Sequence, residues 1–167
     1  MRAIHQFVAG FTHGDAISNE ARVMRGIFRT WGFQSDIFSE TRRILPDLRD
    51  EARDVALYRA ECKPDDVVLL HLSIGSEVNT VFADLPCHKA ILYHNITPAE
   101  YFKGIQDQIA GLLEQGRRQM KALAGKAAVV IADSSFNARE LQDMGYDNVH
   151  VLPLVLDLHR LRAHANR

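Results

Sequence analysis

Short apolar runs alternate along the chain with longer segments in which apolar residues recur every three or four positions. The runs are rich in β-branched residues, and several are apolar at consecutive positions, which is typical of parallel strands covered on both faces. The longer segments have the period of amphipathic helices. The pattern predicts strands at residues 3–8, 34–38, 66–72, 89–94, 127–132 and 148–152.

Two of the predicted helices have recognisable ends. Apolar residues from Ile17 to Trp31 are spaced by three or four, Asp15 is a suitable N-cap, and Gly32 can end the helix in a left-handed conformation. A second apolar stripe runs from Ile105 to Leu123 and ends at Gly125. Each segment is therefore predicted to bury one face against a sheet.

Two helix starts are predicted directly after strands. The tetrapeptide Thr97-Pro98-Ala99-Glu100 has the pattern of a capping box with proline at the first helical position. Asp133 or Ser134 is predicted to cap a helix that ends near Gly145. Six strands that alternate with helices across short loops indicate an α/β fold, an open parallel sheet with helices on both faces.

Composition places the chain among ordinary globular proteins. Of its 167 residues, 47% are apolar and 25% are charged, which suits one domain with a sizeable core. Twenty Lys and Arg against 21 Asp and Glu give a net charge of −1, so no nucleic-acid partner is predicted. No apolar run approaches the ~20 residues of a membrane span. Cys62 and Cys87 lack the CxxC spacing, so we expect reduced thiols and a cytoplasmic protein.

The loop after the first predicted strand contains Gly10, His13, Gly14 and Asp15. Loops of this kind, at the carboxyl ends of strands, are where open α/β sheets bind ligands. The glycines let the backbone approach a ligand, and the following helix offers free N–H groups to an anion such as phosphate. The loop matches neither the dinucleotide fingerprint nor the P-loop, so a tight turn without a ligand is the alternative.

Two other strand ends carry polar side chains. His94 and Asn95 can present hydrogen-bonding groups to a sugar or acyl ligand, and His94 can also act as a base; a structural pair that holds the turn is the alternative. Ser73 and Ser76 flank a glycine after the third strand. His71 lies within that strand and is interpreted as a core histidine. The scattered histidines match no metal motif, so no metal site is predicted.

In this order and spacing, the segments resemble the N-terminal domain of the family 4 retaining glycosyltransferases, which have the two-domain GT-B architecture. The resemblance extends over nearly the whole chain. The matching segments are residues 14–19, 31–33, 71–76, 93–98, 132–141 and 151–153.

The resemblance implies a transferase that moves a sugar from a nucleotide-sugar donor, with retention, to an acceptor glycan or small molecule. This half would carry the acceptor side of the cleft, and the acceptor would be a saccharide or a polyprenyl-linked molecule. His94 would be the catalytic residue and contact the transferred sugar. No cofactor and no metal is implied. The expected substrate-binding residues are Gly10, His13, Gly14, Asp15, Ser73, Ser76, Asn95, Asp133 and Ser134.

The family continues into a second α/β domain that binds the nucleotide, and the sequence carries no counterpart of it. Residues 1–153 are expected to form the Rossmann-like N-terminal domain, and residues 154–167 the start of the inter-domain linker or a frayed tail. The chain alone is expected to be inactive, because the groups that stabilise the departing phosphate would belong to the other domain. In the full-length protein, the resemblance also allows peripheral association with a membrane.

A non-catalytic binding module of the flavodoxin or response-regulator type is the alternative. The first strand is not followed by the acidic pair of a phosphoacceptor receiver, and the first loop is not the Ser/Thr-rich cradle of a flavin protein. A fragment of a nucleotide-sugar epimerase or dehydrogenase is disfavoured because the sequence G-x-G-x-x-G is missing.

Overall fold

A parallel sheet of seven strands forms the centre of the computed structural model, which describes residues 2–156. The strands are β1 (Ile4–Val8), β2 (Ile37–Ser39), β3 (Ala52–Asp54), β4 (Val67–Leu72), β5 (His88–Tyr93), β6 (Val129–Ala132) and β7 (Val149–Val151). The helices are α1 (Ala16–Thr30), α2 (Val55–Glu61), α3 (Glu77–Asp84), α4 (Asp107–Leu123) and α5 (Ser135–Asp143). Across the sheet the order is β3-β2-β1-β4-β5-β6-β7.

Helices cover both faces of this sheet, which confirms the predicted fold class. Successive residues of a strand point to opposite faces. On one face, Leu69 and Leu92 pack with Met24 of α1. On the other face, the neighbouring residues Leu70 and Ile91 belong to the larger core that α3, α4 and α5 cover. This alternation explains why the central strands are apolar at consecutive positions.

Two elements differ from the sequence prediction. β3 was missed because it is a three-residue edge strand that pairs with β2 alone and contains Arg53 and Asp54. The prediction that a helix begins at Thr97 was wrong. A single 3-10 turn, Ala99–Tyr101, forms there, and no side chain of the described residues caps it. The chain then turns at Gly104, whose φ is +77°, and α4 begins only at Asp107.

The loop after β4 packs directly against the backbone of α4. The N–H of Gly75 donates to the carbonyl of Leu112 at 3.0 Å. A Cβ added at Gly75 would lie 2.5 Å from that same carbonyl oxygen, and one added at Gly116 would lie 2.6 Å from the Gly75 nitrogen. Since both neighbours are backbone atoms, only glycine fits at these two positions.

No helix within residues 2–156 is both long and apolar enough to cross a membrane. The expected linker or tail at residues 154–167 lies outside the described residues from residue 157 onward. The domain boundary at residue 153 therefore stays a prediction.

Candidate functional site

A crevice of about 240 Å³ opens between the carboxyl ends of β1 and β4. The chain continues from β1 to β2 on one side and from β4 to β5 on the other, so the two loops diverge. Such reversals of strand order are where open α/β sheets bind ligands. The crevice brings together Gly10, Asp15 and Ser73 of the predicted site. Its lining is Ala9, Gly10, Thr12, Asp15, Ile17, Arg43, Ser73 and Ile74.

Asp15 holds the first loop against α1. Its Oδ2 accepts hydrogen bonds from the backbone N–H of Ser18 at 2.7 Å and from the Ser18 hydroxyl at 2.6 Å, so it caps the helix as predicted. Gly14 has a φ of +70° and open space around it, which leaves its backbone accessible. His13 lies at the exposed rim, where its Nε2 is 2.6 Å from Oδ2 of Asp47. The loop thus pairs an accessible backbone with an anionic cap.

Arg43 supplies the cationic side chain of the crevice. It belongs to a 3-10 turn, Thr41–Arg43, which is hydrogen-bonded to the first loop. Phe11 N–H donates to the Arg43 carbonyl at 2.9 Å, and Leu45 N–H donates to the Phe11 carbonyl at 3.1 Å. Its neighbour Arg42 points to solvent, with 76% of its side chain exposed. The two arginines are adjacent in sequence and differ only in their tertiary contacts. The sequence alone therefore gives no reason to place Arg43, rather than Arg42, in the crevice.

The two predicted serines have different surroundings. Ser73 lines the crevice. Ser76 is buried at the start of α3, where its backbone N–H donates to Oε1 of Gln119 at 3.1 Å and its carbonyl accepts from Nε2 of the same side chain at 2.9 Å. The structure therefore places Ser76 at the contact between α3 and α4, away from the crevice lining.

Asn95 and Asp133 are joined through Asn137. Asn95 has a φ of +74°, and its Nδ2 donates to Oδ1 of Asn137 at 2.7 Å. Nδ2 of Asn137 in turn donates to Oδ1 of Asp133 at 2.6 Å. Ser134 caps α5, as predicted, by accepting from the backbone N–H of Asn137 at 3.2 Å. This network fixes the loop after β5 against the loop after β6.

A second hydrogen-bond network, formed by Tyr93, Arg117 and Glu140, also holds the loop after β5. The backbone N–H of Ile96 donates to the hydroxyl of Tyr93 at 3.0 Å, and that hydroxyl donates to Glu140. Arg117 bridges the same groups, since it donates to Oε1 of Glu140 at 2.9 Å and to the carbonyl of Ile96 at 2.6 Å. Burial raises the pKa of Tyr93, so its hydroxyl keeps the proton it donates. These hydrogen bonds hold the loop after β5 against α4 and α5.

His94 belongs to a buried chain of hydrogen bonds. Only 3% of its side chain is exposed, and its Nε2 lies 3.0 Å from Nδ1 of His71. Nε2 of His71 lies 3.1 Å from Oε1 of Gln6. The Gln6 amide is completed by a hydrogen bond from its Nε2 to the carbonyl of Ala21 at 2.9 Å. This series of hydrogen bonds links α1, β1 and β4 to the residue that follows β5.

Glu20 lies beside the two histidines. Its Oε2 is 3.5 Å from Nε2 of His94 and 3.9 Å from Nδ1 of His71. This oxygen is buried, and no group in the described part of the chain forms a hydrogen bond with it. Its Oε1 accepts a hydrogen bond from the backbone N–H of Val155 at 2.8 Å. On the other side of the ring, Nδ1 of His94 is 3.7 Å from Oδ2 of Asp133.

Burial favours the neutral form of all three groups. It lowers the pKa of His94 to about 4, although the nearby Asp133 and Asp15 carboxylates act in the opposite direction. It lowers the pKa of His71 well below its usual value, and the neighbouring His94 adds to this effect. Burial also raises the pKa of Glu20. The site consequently presents neutral imidazoles near neutral pH.

Glu20, His71 and His94 form the one group among residues 2–156 whose ligand atoms are close enough to hold a metal ion. The two rings are parallel within 2°, with centroids 5.2 Å apart and facing nitrogens 3.0 Å apart. The rings therefore lie edge to edge, so these nitrogens point at each other. That orientation suits a hydrogen bond, whereas a shared ion would need both lone pairs directed at a third position. The expected absence of a metal stays a prediction.

A larger cavity, of about 480 Å³, lies at the ends of β2 and β3. Some of its polar side chains are already paired: the Thr41 hydroxyl donates to Asp54, and Arg42 donates to Glu40 at 2.7 Å. The crevice between β1 and β4 is the better candidate site, although it is the smaller of the two, because it lies where the strand order reverses.

Sequence reasoning missed Gln6 and Glu20. It interpreted His71 as a core histidine, and the structure places His71 in the core, with hydrogen bonds to Gln6 and His94. A signal was present for each of the first two. Gln6 is polar inside an apolar strand, and Glu20 interrupts the apolar face of α1, three residues after Ile17 and four before Met24. Polar residues at positions that demand burial indicate a buried network.

No protein-family model matches the sequence, and a search of curated proteins finds no significant match. Among solved structures, an α-glucosyltransferase in complex with UDP matches with a TM-score of 0.61 at 10% identity, over 98% of this chain and 46% of that chain. An α-glucosyltransferase in complex with UDP and a 13-mer DNA containing a HMU base matches with a TM-score of 0.60 at 12% identity, over 98% and 45%. One in complex with UDP-glucose and DNA containing an abasic site matches with a TM-score of 0.57 at 12% identity, over 98% and 45%.

This chain thus spans less than half the length of the α-glucosyltransferases it matches. At 10–12% identity, the likeness establishes the fold. The described residues have the Rossmann-like α/β fold of one part of a GT-B-type glycosyltransferase, which is the fold that the resemblance implied.

Proposed function

We propose that this chain is the acceptor-side half of a glycosyltransferase that moves a sugar from a nucleotide-sugar donor to an acceptor with retention at the anomeric carbon. The observation that carries the proposal is the placement of His94. It lies at the end of β5, close enough to the crevice-lining Asp15 for that carboxylate to act on its pKa, in a loop that two hydrogen-bond networks hold in place.

A neutral, immobile imidazole suits the binding of an uncharged sugar. Because burial keeps the pKa of His94 low, the ring offers one donor and one acceptor and adds no net charge. His94 is proposed to position the transferred sugar, and the departing phosphate is proposed to take the proton of the acceptor hydroxyl. In that mechanism no side chain of this half serves as the base.

The donor phosphates are proposed to approach the first loop. Gly14 leaves the backbone of that loop accessible, and Arg43 contributes a guanidinium to the crevice that Gly10 and Asp15 of the loop also line. Such a guanidinium binds phosphate oxygens well, whereas the Asp15 carboxylate that caps α1 disfavours a second anion close to that helix end. The approach is therefore expected on the Arg43 side of the crevice.

The proposed acceptor is a saccharide or a polyprenyl-linked molecule. Two of the matched α-glucosyltransferases are in complex with DNA, so DNA is the competing acceptor. The net charge of −1 argues against it, because binding a duplex requires a basic surface that neutralises phosphates. As the chain spans less than half of those enzymes, transfer is proposed only for a protein that also provides the nucleotide-binding part.

The test begins with the reading frame beyond Arg167, which we expect to encode a second α/β domain. The full gene product is then incubated with a panel of nucleotide sugars, and transfer or donor hydrolysis is measured. Saturation-transfer NMR of the 167-residue protein with saccharides, a DNA duplex, flavin and NAD follows. Saccharide signals support the acceptor half, whereas flavin or NAD signals, with no turnover by the full product, would establish a binding module instead.

A further inference from the structure

We propose that Gln6 and His71 are positioning residues that fix the tautomer of His94. The chain of hydrogen bonds has only one consistent assignment of protons. The carbonyl of Ala21 is an acceptor, so the group of Gln6 that faces it, 2.9 Å away, is the NH₂ group. The Gln6 oxygen therefore faces His71.

An amide oxygen can only accept, so the Nε2 atom of His71, 3.1 Å away, carries the ring proton. A neutral imidazole has one proton, which leaves Nδ1 of His71 as an acceptor. This nitrogen faces Nε2 of His94 at 3.0 Å, so Nε2 of His94 carries the proton of that ring. The tautomer of the last ring is thus decided by an amide on β1.

The consequence lies on the other side of the His94 ring. In this assignment its Nδ1 has no proton; the nitrogen finds no hydrogen-bond partner among residues 2–156, and it lies 3.7 Å from Oδ2 of Asp133. Two acceptors face each other there with no hydrogen between them, an arrangement that a bound donor would relieve. The ligand chemistry that fits is a pair of neighbouring hydroxyl groups, one donating to each acceptor, as a hexose presents them.

This assignment deepens the proposed function and rests on it for the identity of the ligand. The tautomer itself does not depend on any transfer reaction. It also differs from a merely structural role for His71, since packing alone would leave the proton of His94 free to occupy either nitrogen.

The first experiment measures long-range ¹H–¹⁵N correlations of the imidazoles in the ¹⁵N-labelled protein, because a protonated and a bare ring nitrogen resonate far apart. We expect a proton on Nε2 and a bare Nδ1 in both His71 and His94. A protonated Nδ1 on His94 would overturn the proposal. One equivalent of Zn²⁺ is then added; displacement of the His94 Nε2 proton would overturn it in favour of a metal site at Glu20, His71 and His94.

Two variants at one position separate the relay from packing. In His71→Gln, the amide oxygen can accept from His94 and the NH₂ group can donate to Gln6. His71→Leu fills a similar volume and can do neither. We expect His94 to keep its tautomer in His71→Gln and to gain a large fraction of Nδ1–H in His71→Leu. Identical tautomers in the two variants would contradict the proposal.

The same pair of variants tests the link to function in the full gene product. We expect kcat/KM for sugar transfer to be at least tenfold lower in His71→Leu than in His71→Gln. Equal kcat/KM values in the two variants would overturn the positioning role of His71, whereas the proposed glycosyl transfer would remain supported. Conversely, a wild-type protein with no transfer activity but with the expected tautomers would overturn the proposed function and leave the proton assignment intact.

Discussion

Nδ1 of His94 lies 3.7 Å from Oδ2 of Asp133, across the gap between the loops after β5 and β6. The two residues belong to loops that a separate set of contacts holds together, through Asn95 and Asn137. The distance between nitrogen and carboxylate is therefore fixed by neighbours, since no hydrogen bond joins the two groups directly. Such preorganisation is what a site needs if its polar groups are to meet a ligand without rearrangement.

His94→Ala in the full gene product is expected to lower kcat at least ~10-fold, equivalent to about 1.4 kcal/mol of transition-state stabilisation. The reason is the loss of the proposed sugar contact at the end of β5. Steady-state kinetics with the preferred nucleotide sugar provide the measurement. His88→Ala is the matched control, because His88 is an exposed histidine at the opposite end of the same strand. Unchanged kinetics in His94→Ala would remove the assigned role.

Stability is expected to fall as the pH falls below about 6.5, the ordinary pKa of histidine. Burial lowers the pKa of His94 to about 4 and that of His71 further below its usual value, so the unfolded chain binds more protons than the folded one in this range. Each histidine contributes up to about 1.4 kcal/mol per pH unit. The raised pKa of Glu20 acts in the opposite sense, since the folded state then favours its protonated form and gains stability on acidification.

Chemical denaturation at pH 7, 6 and 5 measures this dependence. His71→Gln removes one of the histidines whose pKa burial lowers, so its free energy of unfolding should decline less steeply with acidification than that of the wild type. His88→Gln removes an exposed histidine and should leave the slope unchanged. Parallel curves for wild type and His71→Gln would show that His71 is not held neutral by burial.

Asn95→Ala is expected to destabilise the protein by about 1–2 kcal/mol, because alanine tolerates a positive φ poorly and cannot donate to Asn137. Asn95→Gly relieves the backbone strain while it still loses the hydrogen bond, so its effect should be smaller. Thermal unfolding of the two variants separates the two causes. Equal losses would mean that the left-handed backbone at this position costs nothing.

Gly116→Ala is expected to destabilise by about 1–3 kcal/mol, because the added methyl group would lie 2.6 Å from the backbone nitrogen of Gly75. Gly111 lies in the same helix with open space around it, so Gly111→Ala should stabilise by about 0.5–1 kcal/mol. Urea denaturation of both variants makes the comparison. A neutral Gly116→Ala would show that α4 shifts freely away from the loop after β4.

The fold was accessible from sequence because its central strands are buried on both faces, which leaves consecutive apolar residues from Val67 to Leu70. Individual loops were accessible as well, since each follows a predicted strand. What the sequence could not supply is which side chains meet. Gln6 and His71 are 65 positions apart, and only the parallel register of β1 and β4 brings them together.

The capping-box prediction at Thr97 failed for a related reason. A local pattern gives the cost of starting a helix, but packing decides whether the helix continues. Here the turn at Ala99–Tyr101 is followed by Gly104 in the left-handed region. The helix that packs onto the core starts at Asp107, two residues after Ile105, the first residue of the predicted apolar stripe. Local signals located the turn and misjudged its extent.

The hydrogen bond from Val155 to Glu20 couples the path of the chain after β7 to the ionisation of a buried carboxyl. That bond lowers the pKa of Glu20 against the effect of burial, so the ionised form is favoured when Val155 is docked. By linkage, an ionised Glu20 must equally favour the docked position of the chain. Displacement of residue 155 would therefore be accompanied by proton uptake at Glu20, the neighbour of His94. Conversely, protonation of Glu20 would weaken the attachment of the segment that follows β7.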